Sequence, residues 1–119
     1  MGDVTVNNLD DVFSYHKPTG DFQIEKYHRI RAAAKLCAAA ILGGAGTVES
    51  RTGAIAAFKA VIEAETGPCR DREEALAMID SADFLVRDVP DLTMTQDIIR
   101  CLRAAVMWTN ASVALAGRI

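Results

Sequence analysis

The residues that most enzymes and metal sites depend on are scarce in this chain. Its two histidines, His16 and His28, have no obvious serine or cysteine partner near them in sequence, and no metal-ligand spacing such as HExxH occurs. Cysteine is confined to Cys37, Cys69 and Cys101, an odd number with no CxxC pair, which argues against a disulfide framework or a zinc site. Their surroundings, AKLCAAA, TGPCRDR and IIRCLRA, do not match, so the equal spacing is not a repeat. No apolar run approaches the roughly 20 residues of a membrane-spanning helix. GGAG at 43–46 follows no strand pattern and reads as a helix terminator, not as a phosphate loop. Strand-like alternation has room only around Val4 to Val6. A net charge of -3 argues against general DNA or RNA binding. The opening MGDVTVNNLDD is too polar for a secretion signal, and a reducing cytoplasm is the expected compartment. Neither cofactor, metal nor catalytic step is expected.

Apolar residues are plentiful: half of the 119 residues are hydrophobic, many of them alanine. That is enough for one domain with a core. Alanine-rich helices approach closely but each buries modest area, so pairing with copies of the chain is expected to complete the core. From about Phe22 to Leu42, Tyr27, Ile30, Ala34, Cys37, Ala38 and Ile41 recur at steps of three and four, the mark of a helix with one apolar face. A second helix is predicted over Glu49 to Glu65 on the stripe Ala54, Ile55, Phe58, Val61 and Ile62. DREEALAMIDSADFLV predicts a third, with Leu76, Ile79 and Leu85 inward. A last long helix runs from about Thr93 to Ala116, with Ile98, Leu102, Ala105, Val106 and Val113 toward the core. The predicted class is all-α: a single domain over 1–119, with an extended arm (1–18), hairpin helices (19–43 and 93–117) and a helical insertion between them (44–89).

Charge is unevenly placed. Residues 16–35 carry +3 and residues 94–119 carry +2, while residues 44–93 carry -5 and residues 1–15 carry -3. The two positive segments are candidates for one anion site, and the acidic middle reads as a solvated face. His28, Arg31 and Lys35 fall on one helical stripe, just after a loop with Phe13, Tyr15 and His16. Arg100 and Arg103 would lie alongside if the first and last long helices pair. Rings with arginines suit a nucleotide, the ring covering the base and the guanidinium forking onto phosphate. A stripe of this kind is also an ordinary solvated face, and the rings an ordinary packed helix entrance. Arg31 lies near the buried stripe, with no acid three or four residues away. Its partner is then an external phosphate or an acid from another segment. Asn110 and Trp108 sit in mid-helix, where asparagine is a poor choice. Asn110 either fixes helix register by a hydrogen bond or reads a ligand edge.

FSYHKPTG, then HRIRAAA, then LRAAVMWTNASVA, taken in that order, resemble the phage-encoded cyclic-nucleotide sponges, the helical-hairpin family of anti-CBASS and anti-Thoeris proteins. The matching positions are Phe13, Tyr15, His16, Pro18, Thr19, Gly20, Ile30, Arg31, Met107, Trp108, Asn110, Ala111 and Ala114; Thr109 stands for the family's alanine and Val113 for its isoleucine. The insertion at 44–89 departs from the short members. The resemblance implies a non-enzyme that holds a cyclic di- or trinucleotide, or a cyclic ADP-ribose isomer, away from a bacterial immune effector. It implies a symmetric homo-oligomer (a dimer, a trimer of dimers or similar) with pockets between protomers. The ligand residues it implies are Phe13, Tyr15, His16, Thr19, Arg31 and Asn110, to which charge and position add Lys35, Arg103 and Arg118. The rival expectations are a structural helical oligomer with no nucleotide ligand, or an inhibitor that binds a host protein through the acidic middle.

Overall fold

A computed structural model describes residues 5–13, 21–43, 47–66, 70–88 and 95–116, leaving aside the side chains of residues 6, 21–24, 27, 70, 71 and 109–116. Among the described residues are five α-helices, α1 (Leu9–Val12), α2 (Asp21–Leu42), α3 (Val48–Glu65), α4 (Arg70–Asp88) and α5 (Thr95–Ala116), with a 3₁₀ turn Val6–Asn8 before α1. The described residues contain no strand. The all-α class expected from the periodicities is what the chain adopts.

The long helices start and stop where local chemistry tells them to. At α3, the Ser50 N–H donates to Thr47 Oγ1 (3.0 Å) while the Thr47 N–H donates to Ser50 Oγ (2.9 Å), a reciprocal cap that satisfies two backbone donors. At its other end the Thr66 N–H and hydroxyl both donate to the Ile62 carbonyl (3.0 and 2.6 Å), closing the last turn. α2 stops at Leu42, where the glycine run begins.

Side-chain pairs set the helix directions. Arg29, early in α2, grips Glu65 at the end of α3, so these two run antiparallel. Lys59 with Asp80 and Glu63 with Arg72 do the same for α3 and α4. The principal packing partners of α2 are α3 and α5, and those of α4 are also α3 and α5, so the four long helices close around one core. The segment read as an insertion is therefore half of the body. Most of the expected faces of α2 and α3 is buried: Ile30, Ala34, Cys37, Ala38 and Ile41, then Ile55, Phe58 and Ile62, while Ala54 and Val61 only flank the core and the side chain of Tyr27 lies outside those described. On α5, Ile98, Ile99, Leu102, Ala105 and Val106 are buried. On α4 the stripe is offset. Ala75, Ile79, Ala82 and Val86 are buried, whereas Leu76 and Leu85 only flank the core. Alanines at the centre of that face let α4 lie close to α5, and the larger leucines seal its edges.

The N-terminal arm is a correction. Residues expected to be extended form a turn and a short helix over Val6–Asn8 and Leu9–Val12, and Leu9 and Phe13 are buried against the bundle. Leu9 and Phe13 are four apart, so one helical turn points both into the core. Burying a ring of this size contributes about 2–3 kcal/mol, enough to hold the arm down.

Candidate functional site

The last carbonyls of any helix lack partners inside the helix and carry partial negative charge. At α1, a helix of one turn, two arginines from two other helices answer them. Arg31 of α2 donates from Nε to the Phe13 carbonyl (2.7 Å) and from Nη2 to the Asp10 carbonyl (3.0 Å). Arg103 of α5 donates from Nε to the Val12 carbonyl (3.2 Å). Lys35, one turn beyond Arg31, pairs with the Asp10 carboxylate, and Arg31 Nη2 lies 3.5 Å from the same oxygen. The Lys35 ammonium beside Asp10 holds its carboxyl below the usual carboxylate range. Two positively charged stretches far apart in the chain thus meet at one place.

Beside this clasp runs an open groove of about 480 Å³, lined by Leu9, Asp10, Ala32, Lys35, Leu36 and Ala39. Its walls are mostly apolar, and Lys35 and Asp10 form its polar lip. The side chains of Arg31 and Lys35 are 23% and 33% exposed, so both cations stay reachable from solvent. Leu36, 74% exposed, projects beside them.

The expected ligand residues fare differently. Arg31, Lys35 and Arg103 come together. Phe13 sits beside them but is 0% exposed. Its ring belongs to the core, so the expectation that it covers a base is corrected; what Phe13 offers the site is its carbonyl. Tyr15, His16, Thr19 and Arg118 lie outside the described residues, as does the side chain of Asn110 on α5. His28 is exposed on the α2 surface. The question of what pairs with Arg31 is answered inside the chain, by Asp10 and by two carbonyls of the arm. Asp10 and the apolar groove walls escape the sequence reading. The Leu9, Val12 and Phe13 spacing is the signal that reveals α1.

A second arginine of the same stretch has its own partner. Arg29 makes a forked contact with Glu65, Nε to Oε1 at 2.6 Å and Nη2 to Oε2 at 2.9 Å. That hydrogen bond lowers the Glu65 pKa. Neither described thiol is activated: burial pushes Cys37 up to about 12, and burial with the nearby Asp97 raises Cys101. Among the described residues no group of three or more metal-ligating side chains occurs, and no helix is long and apolar enough to cross a membrane. The arrangement can neutralise an anion and shelter a flat apolar group. The chain matches no family model, no curated protein and no solved structure.

Proposed function

We propose that the protein binds a cyclic nucleotide immune messenger and holds it uncleaved, blocking anti-phage signalling in the cytoplasm of an infected bacterium. The ligand would be a cyclic di- or trinucleotide or a cyclic ADP-ribose isomer. The observation that carries this reading is the meeting of Arg31, Lys35 and Arg103 beside the α1–α2 groove. The groove volume falls in the range of about 300–1,000 Å³ usual for small-molecule pockets. Its walls suit a base and its cations suit a phosphate. The motifs shared with the sponge family point to the same chemistry. Tyr15, His16, Thr19 and Asn110 would add the ring and edge contacts that the resemblance implies.

In this reading α2 and α5 are the family's antiparallel hairpin, and α3 and α4 its enlarged insertion. Copies assemble symmetrically, and exposed Leu36, Met107 and Trp108 supply apolar surface for that contact. Sequestration requires tight binding: a dissociation constant of 1 nM corresponds to about -12 kcal/mol. Closing a pocket between two copies would help to reach it by excluding water from the charged contacts.

The test is to incubate the protein with a panel of cyclic nucleotides, remove unbound compound, heat the protein and analyse what is released. One compound returned intact supports the reading. A linear or hydrolysed product, with clean controls, makes the protein an enzyme instead.

A specific observation favours a second reading, a helical protein without a nucleotide ligand: all three cations already hold the arm. On that reading the melting temperature is indifferent to every nucleotide in the panel.

A further inference from the structure

Arg51, at the end of the first turn of α3, carries a charge that the fold leaves unanswered. The residue is 5% exposed, and its Nε is closed off from solvent with no hydrogen-bond acceptor. Four acids of α3 and α4 are committed elsewhere, Glu65 to Arg29, Glu63 to Arg72, Asp80 to Lys59 and Asp83 to Arg87, and no ion pair joins Arg51 to any described acid. Glu49 is exposed and two residues away, a spacing that does not face Arg51 on a helix. Arginine keeps its proton at any ordinary pH, so burial is not relieved by neutralisation. A buried charge of this kind calls for an anion.

The same turn supplies further donors. The Ser50 N–H is taken by Thr47 Oγ1 and the Arg51 N–H by the Thr47 carbonyl (3.1 Å). That leaves the N–H groups of Val48 and Glu49 at the positive end of an 18-residue helix. Side chains on a helix lean toward its N-terminus, which carries Arg51 back along this turn.

We propose that the first turn of α3 is an oxyanion-binding site. Arg51 and the N–H groups of Val48 and Glu49 would receive a phosphate or carboxylate group. The site is distinct from the α1 clasp. The start of α3 lies about 25 Å along the helix axis from Glu65, which Arg29 ties to the early part of α2. It stands whether or not the protein binds a cyclic nucleotide. The exposed carboxylate of Glu49 opposes a dianion more than a monoanion, so a phosphate ester with one charge, or a carboxylate, fits best.

The experiment is calorimetric titration of the full chain with inorganic phosphate and, separately, acetate, each at constant ionic strength against chloride. The expected result is saturable uptake of one anion per chain. Acetate binding as tightly as phosphate would assign a carboxylate ligand, and preference for phosphate a phosphoryl one. Arg51→Met should weaken uptake at least tenfold while raising the melting temperature in anion-free buffer, because an unanswered charge gives way to an apolar chain of similar length. Lys59→Ala, which removes a cation elsewhere on α3, should leave uptake unchanged. No saturable uptake by the wild type, or equal uptake by Arg51→Met, overturns the proposal. So does a lower melting temperature or a failure to fold in Arg51→Met, since either means that the guanidinium has a partner inside the chain. On the wild type alone, the ¹⁵N-edited resonance of the Arg51 Nε–H should move with phosphate; a resonance fixed at saturating phosphate also overturns it.

Discussion

Arg31 and Arg103, on the first and last long helices, donate to the Phe13 and Val12 carbonyls, which are adjacent in the chain. One turn of helix in the arm therefore joins α2 to α5. Neither arginine can be removed without freeing a carbonyl at the end of α1. Arg31 holds two of these carbonyls and contacts the Asp10 carboxylate, while Arg103 donates to the Val12 carbonyl from an exposed position.

The first prediction concerns the strength of that clasp. Arg31→Ala should destabilise the fold by about 1–3 kcal/mol, the range for losing charged hydrogen bonds and leaving acceptors bare. Arg103→Ala should cost less, about 0.5–1.5 kcal/mol. The two should not add, because once one is gone the arm is already loose and the other has less to hold. Urea denaturation of the two single variants and the double variant checks this. Strict additivity would mean that they act on separate structures.

Phe13 should behave as a core residue. Phe13→Ala should cost about 3–5 kcal/mol, the usual loss for emptying a buried aromatic site. Phe13→Leu should cost far less, because it keeps an apolar side chain facing the core. A loss below about 1 kcal/mol in Phe13→Ala would mean that the ring is not packed there.

The four long helices are legible in the sequence because each repeats its apolar residues at three and four over many turns. The arm is harder to read. Leu9 and Phe13 give a helical spacing only once, and FSYHKPTG draws Phe13 into a loop motif. The cations of the site are legible as charge, but their partners are not: Asp10 lies 21 residues from Arg31 and 25 from Lys35, and no local pattern announces a contact at that range. Arg29 and Arg31 look alike in sequence. Only the packing of α2 sends one to Glu65 and the other to the arm. Buried Arg51 has no sequence signal either, since it sits in an acidic stretch that reads as a wet face.

Acid should loosen the molecule at two points. Asp10 lies below its ordinary 3.8 because Lys35 donates a hydrogen bond to it, and Glu65 lies below its ordinary 4.5 because Arg29 does the same. A carboxyl whose pKa is depressed by folding lends stability that is complete above the unfolded value and lost as pH falls through the folded one. Stability from these two groups should therefore be level from pH 7 to about 5 and decline below about 4. Both pairs touch water, so added salt should shrink the effect. Urea midpoints at pH 7 and pH 3 check this, with Asp10→Asn and Glu65→Gln each flattening the slope. Equal slopes in the wild type and both variants would show that other carboxylates control the acid limb.

The last prediction joins the clasp to the proposed ligand. A phosphate that reaches Arg31 must compete with the arm, because the guanidinium already holds the Asp10 and Phe13 carbonyls and faces the Asp10 carboxylate. The carboxylate is the weak point of that hold: its side chain is 74% exposed, so it can swing into water. Asp10→Asn removes the competing charge but keeps the backbone carbonyl. It should therefore tighten capture of a cyclic nucleotide several-fold. Arg31→Ala should weaken capture by about 1.5–3 kcal/mol, the value of charged hydrogen bonds. Arg31→Lys should recover only part of that loss, since an ammonium cannot fork onto two oxygens. Because Arg31→Ala also loosens the arm, its effect alone is ambiguous, and the opposite sign expected for Asp10→Asn separates the two roles. Calorimetric titration of all three variants with whichever nucleotide the protein releases intact is the measurement. If Asp10→Asn weakens capture along with Arg31→Ala, both residues act by holding the arm, and the phosphate binds elsewhere.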